Sequence, residues 1–467
     1  MILDGAPCAA DGSRDAPHYN SPAATVNTRA LRATCLLALA AALLLRTIWL
    51  TADPPVHGTV GVVWHDEGAW VHNARNRALW GEWRTDAWNP MFVAPIFTGL
   101  EYVAFVIAGV GTWQARLVPV ASGLVAVLAL WWGLAAARDR RAAAMGLVLL
   151  STSFFFVMWN RAALMESTLT MWLVVSWAAY ARAAGRPAFG LLAGAAAVLA
   201  FFTKASAVFF IAALAIEAVT TMALAASPPL RRLAGATAPP PASVRAARWA
   251  LAGLAAAAAV AAVVFVIPNW QEFRFYNWQM SVTRKPEYTV RAFIDRASWL
   301  PIVHDVFSRM WIVLVCAAGA LVAIAGRWWT TPPAGRLLAL WVLIGIAELI
   351  VHDSGNERRY VMFVPALVAL TAWFAAGRTG DDARDADRER SPGPAARLIA
   401  MPVVLIAAYL VWGAAVRLLD VQAIYDRQLA WAVRWSVAMA LATAALVWWR
   451  WSGVQRALTT RWPTPIL

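Results

Sequence analysis

Charge is scarce in this sequence. Only 14% of its 467 residues are Asp, Glu, Lys or Arg, against 61% hydrophobic residues and a mean hydropathy of +0.59. A water-soluble globule has an apolar share nearer half, so that class is excluded and a polytopic membrane protein remains. Cysteine is as rare: Cys8 sits in a polar leader, while Cys35 and Cys316 fall in apolar runs. That placement excludes a disulfide scaffold and a cysteine-based metal site. Lysine occurs only as Lys204 and Lys285 among 40 basic residues, so arginine is the default cation and each lysine is conspicuous. No HExxH, P-loop, GxSxG or paired CxxC pattern occurs, which removes the basis for a metalloprotease, an ATPase or a lipase. Nor does the chain show the internal repeat of inverted-repeat transporters.

What is present is a series of apolar runs of spanning length, the first from about 31 to 50. It has no cleavage site placed as a signal peptide needs, and reads as an anchor that stays. Others follow near 114–137, 142–160, 164–181, 187–203, 206–224, 249–267, 306–326, 337–351, 360–377, 397–416 and 433–449. The expected fold is therefore all-α, a polytopic membrane protein of about twelve transmembrane helices. Residues 1–30 are expected to form a disordered cytoplasmic tail, 31–450 the membrane domain, and 451–467 a cytoplasmic C-terminal tail.

Basic residues outnumber acidic ones 40 to 26, a net charge of +14. The excess lies in short links such as Arg138-Asp139-Arg140-Arg141, Arg182 with Arg186, Arg231-Arg232, and Arg327 with Arg336. The positive-inside rule makes that side cytoplasmic, puts both termini there, and explains the charge without a nucleic-acid partner. Outer loops then cover about 51–113 and 268–305. Residues 91–111 would lie in the outer interface as one or two helices, since Pro90, Pro95 and the embedded Glu101 suit a bent, partly wet segment. An ordinary span there would invert everything downstream.

On the outer side, ionisable residues gather at span ends, where charge is expensive unless used. The first loop carries Asp66-Glu67 at the expected mouth of a helix. One of two adjacent carboxylates can act as a general base for a hydroxyl; the plainer alternative is a helix-capping acid pair. Arg161 and Glu166 are five residues apart across a turn and able to pair. Lys204 closes Phe201-Phe202-Thr203-Lys204, a compact point charge suited to a phosphate or else a lysine snorkelling to the interface. Glu348, His352 and Asp353 end one span, and Glu357-Arg358-Arg359-Tyr360 opens the next; the two arginines either grip an anionic head group or balance the neighbouring acids. Arg116 opens the second span. Thr283-Arg284-Lys285-Pro286 suits a lipid- or acceptor-facing surface, and His304-Asp305 reads as structural.

In chain order these pieces resemble the GT-C class of integral-membrane glycosyltransferases, within it the group of protein O-mannosyltransferases and aminoarabinose transferases of lipid A. The resemblance is carried by Asp66-Glu67, the segment after Asn89-Pro90, Arg116-Leu117 with Pro119, the Arg161–Glu166 turn, Phe202-Thr203-Lys204, and Arg359-Tyr360 leading to Pro365. It covers most of residues 31–377. The resemblance implies a GT-C fold and a cell-envelope enzyme moving a sugar, with inversion, from a polyprenyl-phosphate donor to a lipid, glycan or protein acceptor on the outer face of the plasma membrane. It implies Asp66 as base and Glu67 as the residue orienting it or the acceptor. Arg161, Lys204, Arg358 and Arg359 would hold the donor phosphate, with Arg116, Glu166, His352 and Tyr360 as further candidates for substrate contact. It implies no certain cofactor and no metal ligand among these residues, while leaving a divalent cation open. Set against the class, the sequence is expected to be without the large outer domain of oligosaccharyltransferases and the lumenal insert of eukaryotic protein mannosyltransferases. A transporter or flippase of lipid-linked glycans would use the same cationic lining; the carboxylate pair beside it is what a transferase needs. An O-antigen type polymerase or ligase would carry its chemistry in a large late loop.

Overall fold

The structure, a computed structural model, describes residues 28–51, 60–85, 88–280, 290–295, 298, 308–352 and 356–376. The spans expected near 397–416 and 433–449, both tails, Thr283-Arg284-Lys285-Pro286 and His304-Asp305 lie outside the described residues. Within them the fold is all-α, with no strand.

Helix α1 covers Thr28–Thr47 and α2 Val60–Trp80. After a short 3-10 turn at Pro90–Phe92, α3 runs Pro95–Ala108, with Pro95 at the position where a missing N–H costs nothing. At 14 residues α3 rises about 21 Å, short of the roughly 30 Å needed to span. Helix α4 is Thr112–Ala137; α5, Arg140–Thr152, starts where Asp139 accepts the Ala142 N–H at 2.8 Å. The run expected at 142–160 is broken: Ser153 is extended (ψ 110°) and a separate α6, Phe154–Trp159, follows. Then come α7 (Met165–Ala183), α8 (Ala188–Thr203), α9 (Val208–Ala226), α10 (Pro228–Ala234), α11 (Pro241–Ala261) and α12 (Trp270–Arg274). The last three are α13 (Ser308–Gly326), α14 (Pro333–His352) and, after a 3-10 stretch over Glu357–Phe363, α15 (Val364–Ala375).

Among the described residues four stretches are long and apolar enough to cross a membrane: Thr112–Ala137, Ala205–Ala226, Pro241–Val266 and Pro333–Val351. They make this a multi-pass membrane protein. Helix α7 is its axis. It packs on α4 and α8, and residues on every face of it are buried, including the polar Glu166, Ser167, Thr168, Thr170 and Ser176. Those hydroxyls are satisfied: Ser176 donates to the Ala193 carbonyl at 2.6 Å and Thr168 bonds Ser122 at 2.9 Å, joining α7 to α8 and α4, while Thr170 donates to the Glu166 carbonyl within α7.

Helices α8 and α11 approach at backbone distance because Gly194 and Gly253 face each other's helices. A Cβ on Gly194 would sit 2.2 Å from both the Ala250 carbonyl oxygen and the Leu254 nitrogen. Backbone cannot swing away as a side chain can. Gly194→Ala is therefore expected to cost about 1–3 kcal/mol, the range for overpacking, read as a lower midpoint of thermal unfolding. Gly68→Ala, whose Cβ would meet nothing within 4 Å, is the control.

Candidate active site

The site lies where α2, the start of α7, the end of α8 and the 3-10 stretch before α15 converge. Asp66 and Glu67 do not cap α2, as a reading from the sequence expects. The helix begins at Val60, because the Val-Gly-Val-Val run preceding them is itself helical, so the pair sits more than a turn inside. On a helix, adjacent residues point about 100° apart, and the two carboxylates accordingly face different partners.

Glu67 faces inward and is 6% exposed. It takes a two-point contact from Arg116, Nε to Oε1 at 2.9 Å and a terminal nitrogen to Oε2 at 2.8 Å, and Oε1 also accepts the Ala163 N–H at 2.6 Å. The remaining terminal nitrogen of Arg116 donates to the Leu50 carbonyl at 2.8 Å. This clamp ties α2, α4, the end of the first helical segment and the turn before α7 into one corner. Arg116 is 1% exposed and its fork is spent on the clamp, so the geometry gives it a holding role in place of the substrate contact expected from the sequence.

Asp66 faces the other way, with its side chain 25% exposed, and pairs through Oδ2 with Arg358. Arg358 in turn lies with Nε 3.3 Å from Oε1 of Glu166. The same Glu166 oxygen accepts from Lys204 Nζ at 2.6 Å. A line of four alternating charges results: Asp66, Arg358, Glu166, Lys204. Glu166 is 1% exposed and Lys204 8%, whereas Asp66 and Arg358 reach the rim. Arg359 is half-buried and close enough for its charge to act on Lys204, and Tyr360 is buried at 2% exposure. The side chain of His352 and residue Asp353 lie outside the described residues.

Two expectations from the sequence change, one of them a pairing. Glu166 pairs with Lys204 and Arg358, not with Arg161. Arg161 donates 2.8 Å bonds to the carbonyls of Leu45 and Trp49, because the end of α1 leaves carbonyls without helical partners and a guanidinium fork satisfies two at once. That use moves Arg161 from the phosphate-holding set to the scaffold. The second change concerns Glu101, expected in a partly wet segment. It is 0% exposed, on the face of α3 that also buries Phe97 and Phe105, and among the described residues neither of its oxygens has a hydrogen-bond partner.

Burial, with the nearby Glu67 charge adding to it, pushes the Glu101 carboxyl well above its ordinary value of 4.5. The folded protein then keeps a proton that the unfolded chain loses above that value, so this residue's contribution to stability falls as pH rises past it. Glu101→Gln removes the penalty. The stability difference, variant minus wild type, should increase steadily from pH 4.5 upward; a difference independent of pH would show that Glu101 is charged or solvated in the fold.

Sequence reasoning also missed two buried arginines. Arg46 in α1 is 0% exposed and bonds Asn160 and the Ala42 and Ser151 carbonyls at 2.9–3.1 Å. Arg336, counted from the sequence as a link residue, is 3% exposed and makes a two-point contact with Glu217 at 2.8 Å. A charge inside an apolar run was the available signal in Arg46 and Glu217. Among the described residues no group of three His, Cys, Asp or Glu side chains is placed to hold a metal ion.

An all-α membrane fold with a rim carboxylate beside a cationic line is the class of site described here. Residues 93–238 match the model of a family of glycosyltransferases, described as dolichyl-phosphate-mannose-protein mannosyltransferase, and the chain is similar to the GT-C class of membrane glycosyltransferases. No curated protein gives a significant match. Among solved structures, ArnT from Cupriavidus metallidurans bound to undecaprenyl phosphate is 19% identical, with 94% of this chain and 77% of that one covered and a TM-score of 0.47. Its apo form gives 19%, 92%, 77% and 0.49. The Archaeoglobus fulgidus oligosaccharyltransferase AglB, in complex with an inhibitory peptide and a dolichol-phosphate, is 13% identical at a TM-score of 0.45; 94% of this chain covers 60% of it.

Proposed function

We propose that the protein transfers a sugar from a polyprenyl-phosphate donor to an acceptor on the outer face of the plasma membrane, with inversion at the anomeric carbon. The observation that carries this reading is the line Asp66–Arg358–Glu166–Lys204, which joins a rim carboxylate to buried cations across 292 residues of sequence. Displacing a phosphate from a sugar needs a base on one side of the anomeric carbon and positive charge where the phosphate leaves. Asp66 takes the acceptor proton. Lys204, Arg358 and Arg359 hold the phosphate, while Glu67 orients the helix that presents Asp66. The family matched over 93–238, which includes Arg116, Glu166 and Lys204, supports a lipid-linked mannose-type donor. The arginine-rich links between spans support an outer placement for the site and a cytoplasmic placement for both termini.

The test is donor turnover by purified protein in nanodiscs against a panel of polyprenyl-phosphate sugars, with an acceptor extract supplied. One donor should be consumed by the wild type, and Lys204→Ala should lower turnover at least about a hundredfold, the scale for losing one aimed donor of positive charge. A transporter of lipid-linked glycans would bind a donor through Lys204 and consume none, even with acceptor extract present.

A further inference from the structure

A helix keeps a side chain in place only if it cannot roll. Asp66 shares α2 with Trp70 and Asn73, four and seven residues on, and at about 100° per residue the three fall within about 60° of one another. The Glu67 clamp holds α2 on a different face, about 100° round from Asp66, and a hold on one face leaves a helix able to turn about it. A roll of about 10° moves a carboxylate that stands about 6 Å from the axis by about 1 Å, a misplacement that can cost about a hundredfold in rate. The hold on the face of Asp66 comes from far along the chain.

Residues 268–280, which include α12, follow α11, and among them Tyr276 alone is buried, at 8% exposure. Its ring stacks on Phe92 with centroids 5.7 Å apart and planes 15° apart, and meets Trp88 edge-on at 5.8 Å. Trp88 in turn meets Trp70 edge-on at 5.6 Å. The Tyr276 hydroxyl accepts the Asn89 N–H at 3.2 Å, and the Asn89 side-chain oxygen accepts from Asn73 Nδ2 at 3.0 Å. Asn73 is 0% exposed; it also donates to the Trp83 carbonyl at 2.6 Å and accepts the Met91 N–H at 3.1 Å, so the link between α2 and α3 is tied to it. Two routes, one of rings and one of amides, therefore run from Tyr276 to the residues that share the face of Asp66. Asn277 adds a 2.9 Å bond to the Phe92 carbonyl. The Glu272–Arg84 ion pair beside it is exposed and contributes little.

We propose that Tyr276 is a positioning residue for the general base: through Trp88 with Trp70, and through Asn89 with Asn73, it fixes the roll of α2 and so sets where Asp66 meets the acceptor hydroxyl. The inference rests on the transferase reading above. It brings the segment after α11, with 187 residues between Asn89 and Tyr276, into the catalytic geometry. Tyr276 acts through α2 and need touch neither substrate. Its loss should therefore slow the chemical step and leave binding alone, the opposite of what the loss of an acceptor-binding residue does.

The experiment is a double-mutant cycle on the full-length protein in nanodiscs, with the polyprenyl-phosphate sugar that the wild type consumes and the acceptor extract. Tyr276→Leu should lower kcat about ten- to a hundredfold, while the donor dissociation constant and the apparent KM for the extract stay within a few-fold of wild type. Tyr276→Phe keeps both ring contacts and gives up the hydroxyl, so it should retain more activity and lose at least about threefold, the scale of one hydrogen bond. In an Asp66→Asn background the same substitutions should change the residual turnover by less than about twofold, because a base that is absent cannot be misplaced. Losses that multiply with that of Asp66→Asn, a kcat unchanged in Tyr276→Phe, or a raised KM for the extract at unchanged kcat would each overturn the inference and leave the transferase reading standing. Where Tyr276→Leu does not fold, or the residual turnover is too low to read, the split between kcat and KM in Tyr276→Phe decides. A wild type that consumes no donor from the panel overturns the transferase reading itself.

Discussion

Asp66→Asn should abolish sugar transfer while leaving donor binding in place. A general base contributes about a hundred- to ten-thousandfold, and the amide keeps the shape of the side chain but cannot take a proton from the acceptor. Asp66 lies at the rim, 25% exposed in its side chain, so the substitution leaves no desolvated charge behind. The expected result is a fall in kcat of at least about a hundredfold, with the donor dissociation constant within a few-fold of wild type and the unfolding midpoint unchanged. The contact with Arg358 sharpens the prediction. Losing the aspartate charge removes one of the two carboxylates that face Arg358, so donor binding should tighten if it changes at all. Near-wild-type turnover by Asp66→Asn would sink the assignment of the base, and weakened donor binding would sink the placement of Arg358 between base and phosphate.

Arg116→Leu is expected to have the largest effect on stability. It strips Glu67 of both guanidinium contacts and leaves the carboxylate 6% exposed with the Ala163 N–H as its remaining contact of the clamp. Removing one member of a buried ion pair costs about 3–5 kcal/mol, whereas replacing the whole pair with apolar side chains is often neutral. Thermal unfolding should therefore show a steep loss for Arg116→Leu and substantial recovery for Arg116→Leu with Glu67→Leu. Activity should recover in neither. The clamp fixes the corner of α2 from which Asp66 projects, and a misplacement of about 1 Å can cost a hundredfold in rate. A double variant as unstable as the single one would mean that packing by the arginine stem, and not the orphaned carboxylate, carries the loss.

How much of the site was legible depends on which kind of information each residue needed. Lys204 and Arg358 stand out in the sequence because each is a charge beside an apolar run, Lys204 also because the chain otherwise uses arginine, and Asp66 because it is one of two adjacent carboxylates at the expected mouth of a helix. That Glu166 meets Lys204 and not Arg161 could not be read. Five residues across a turn looked like the shorter path, but Arg161 is drawn off by the two carbonyls at the end of α1, a demand created by helix geometry and invisible to spacing. Arg116 shows the same limit: an arginine at the start of a span looks like a ligand for anions until the fold brings Glu67 against it across 49 residues. Glu101 failed for the opposite reason. Two prolines and an acid suggest a wet bend, whereas α2 and α4 close over that face of α3 and leave it dry.

The sequence by itself determined the solvent and the architecture. Apolar runs of spanning length, charge gathered mostly in their links and almost no cysteine admit an all-α membrane fold and little else, because a backbone in lipid must satisfy its own hydrogen bonds. It also determined which residues are chemically capable, since an ionisable group at a span end is too costly to be incidental. Only the tertiary structure decided their partners. Ion pairing depends on a few ångströms between side chains from distant helices, and those distances come from packing choices such as the α8–α11 contact at Gly194 that no local pattern encodes. That is why Asp66 and Glu67, neighbours in the chain, end with different work: the turn of one helix points one at the rim and the other into the clamp.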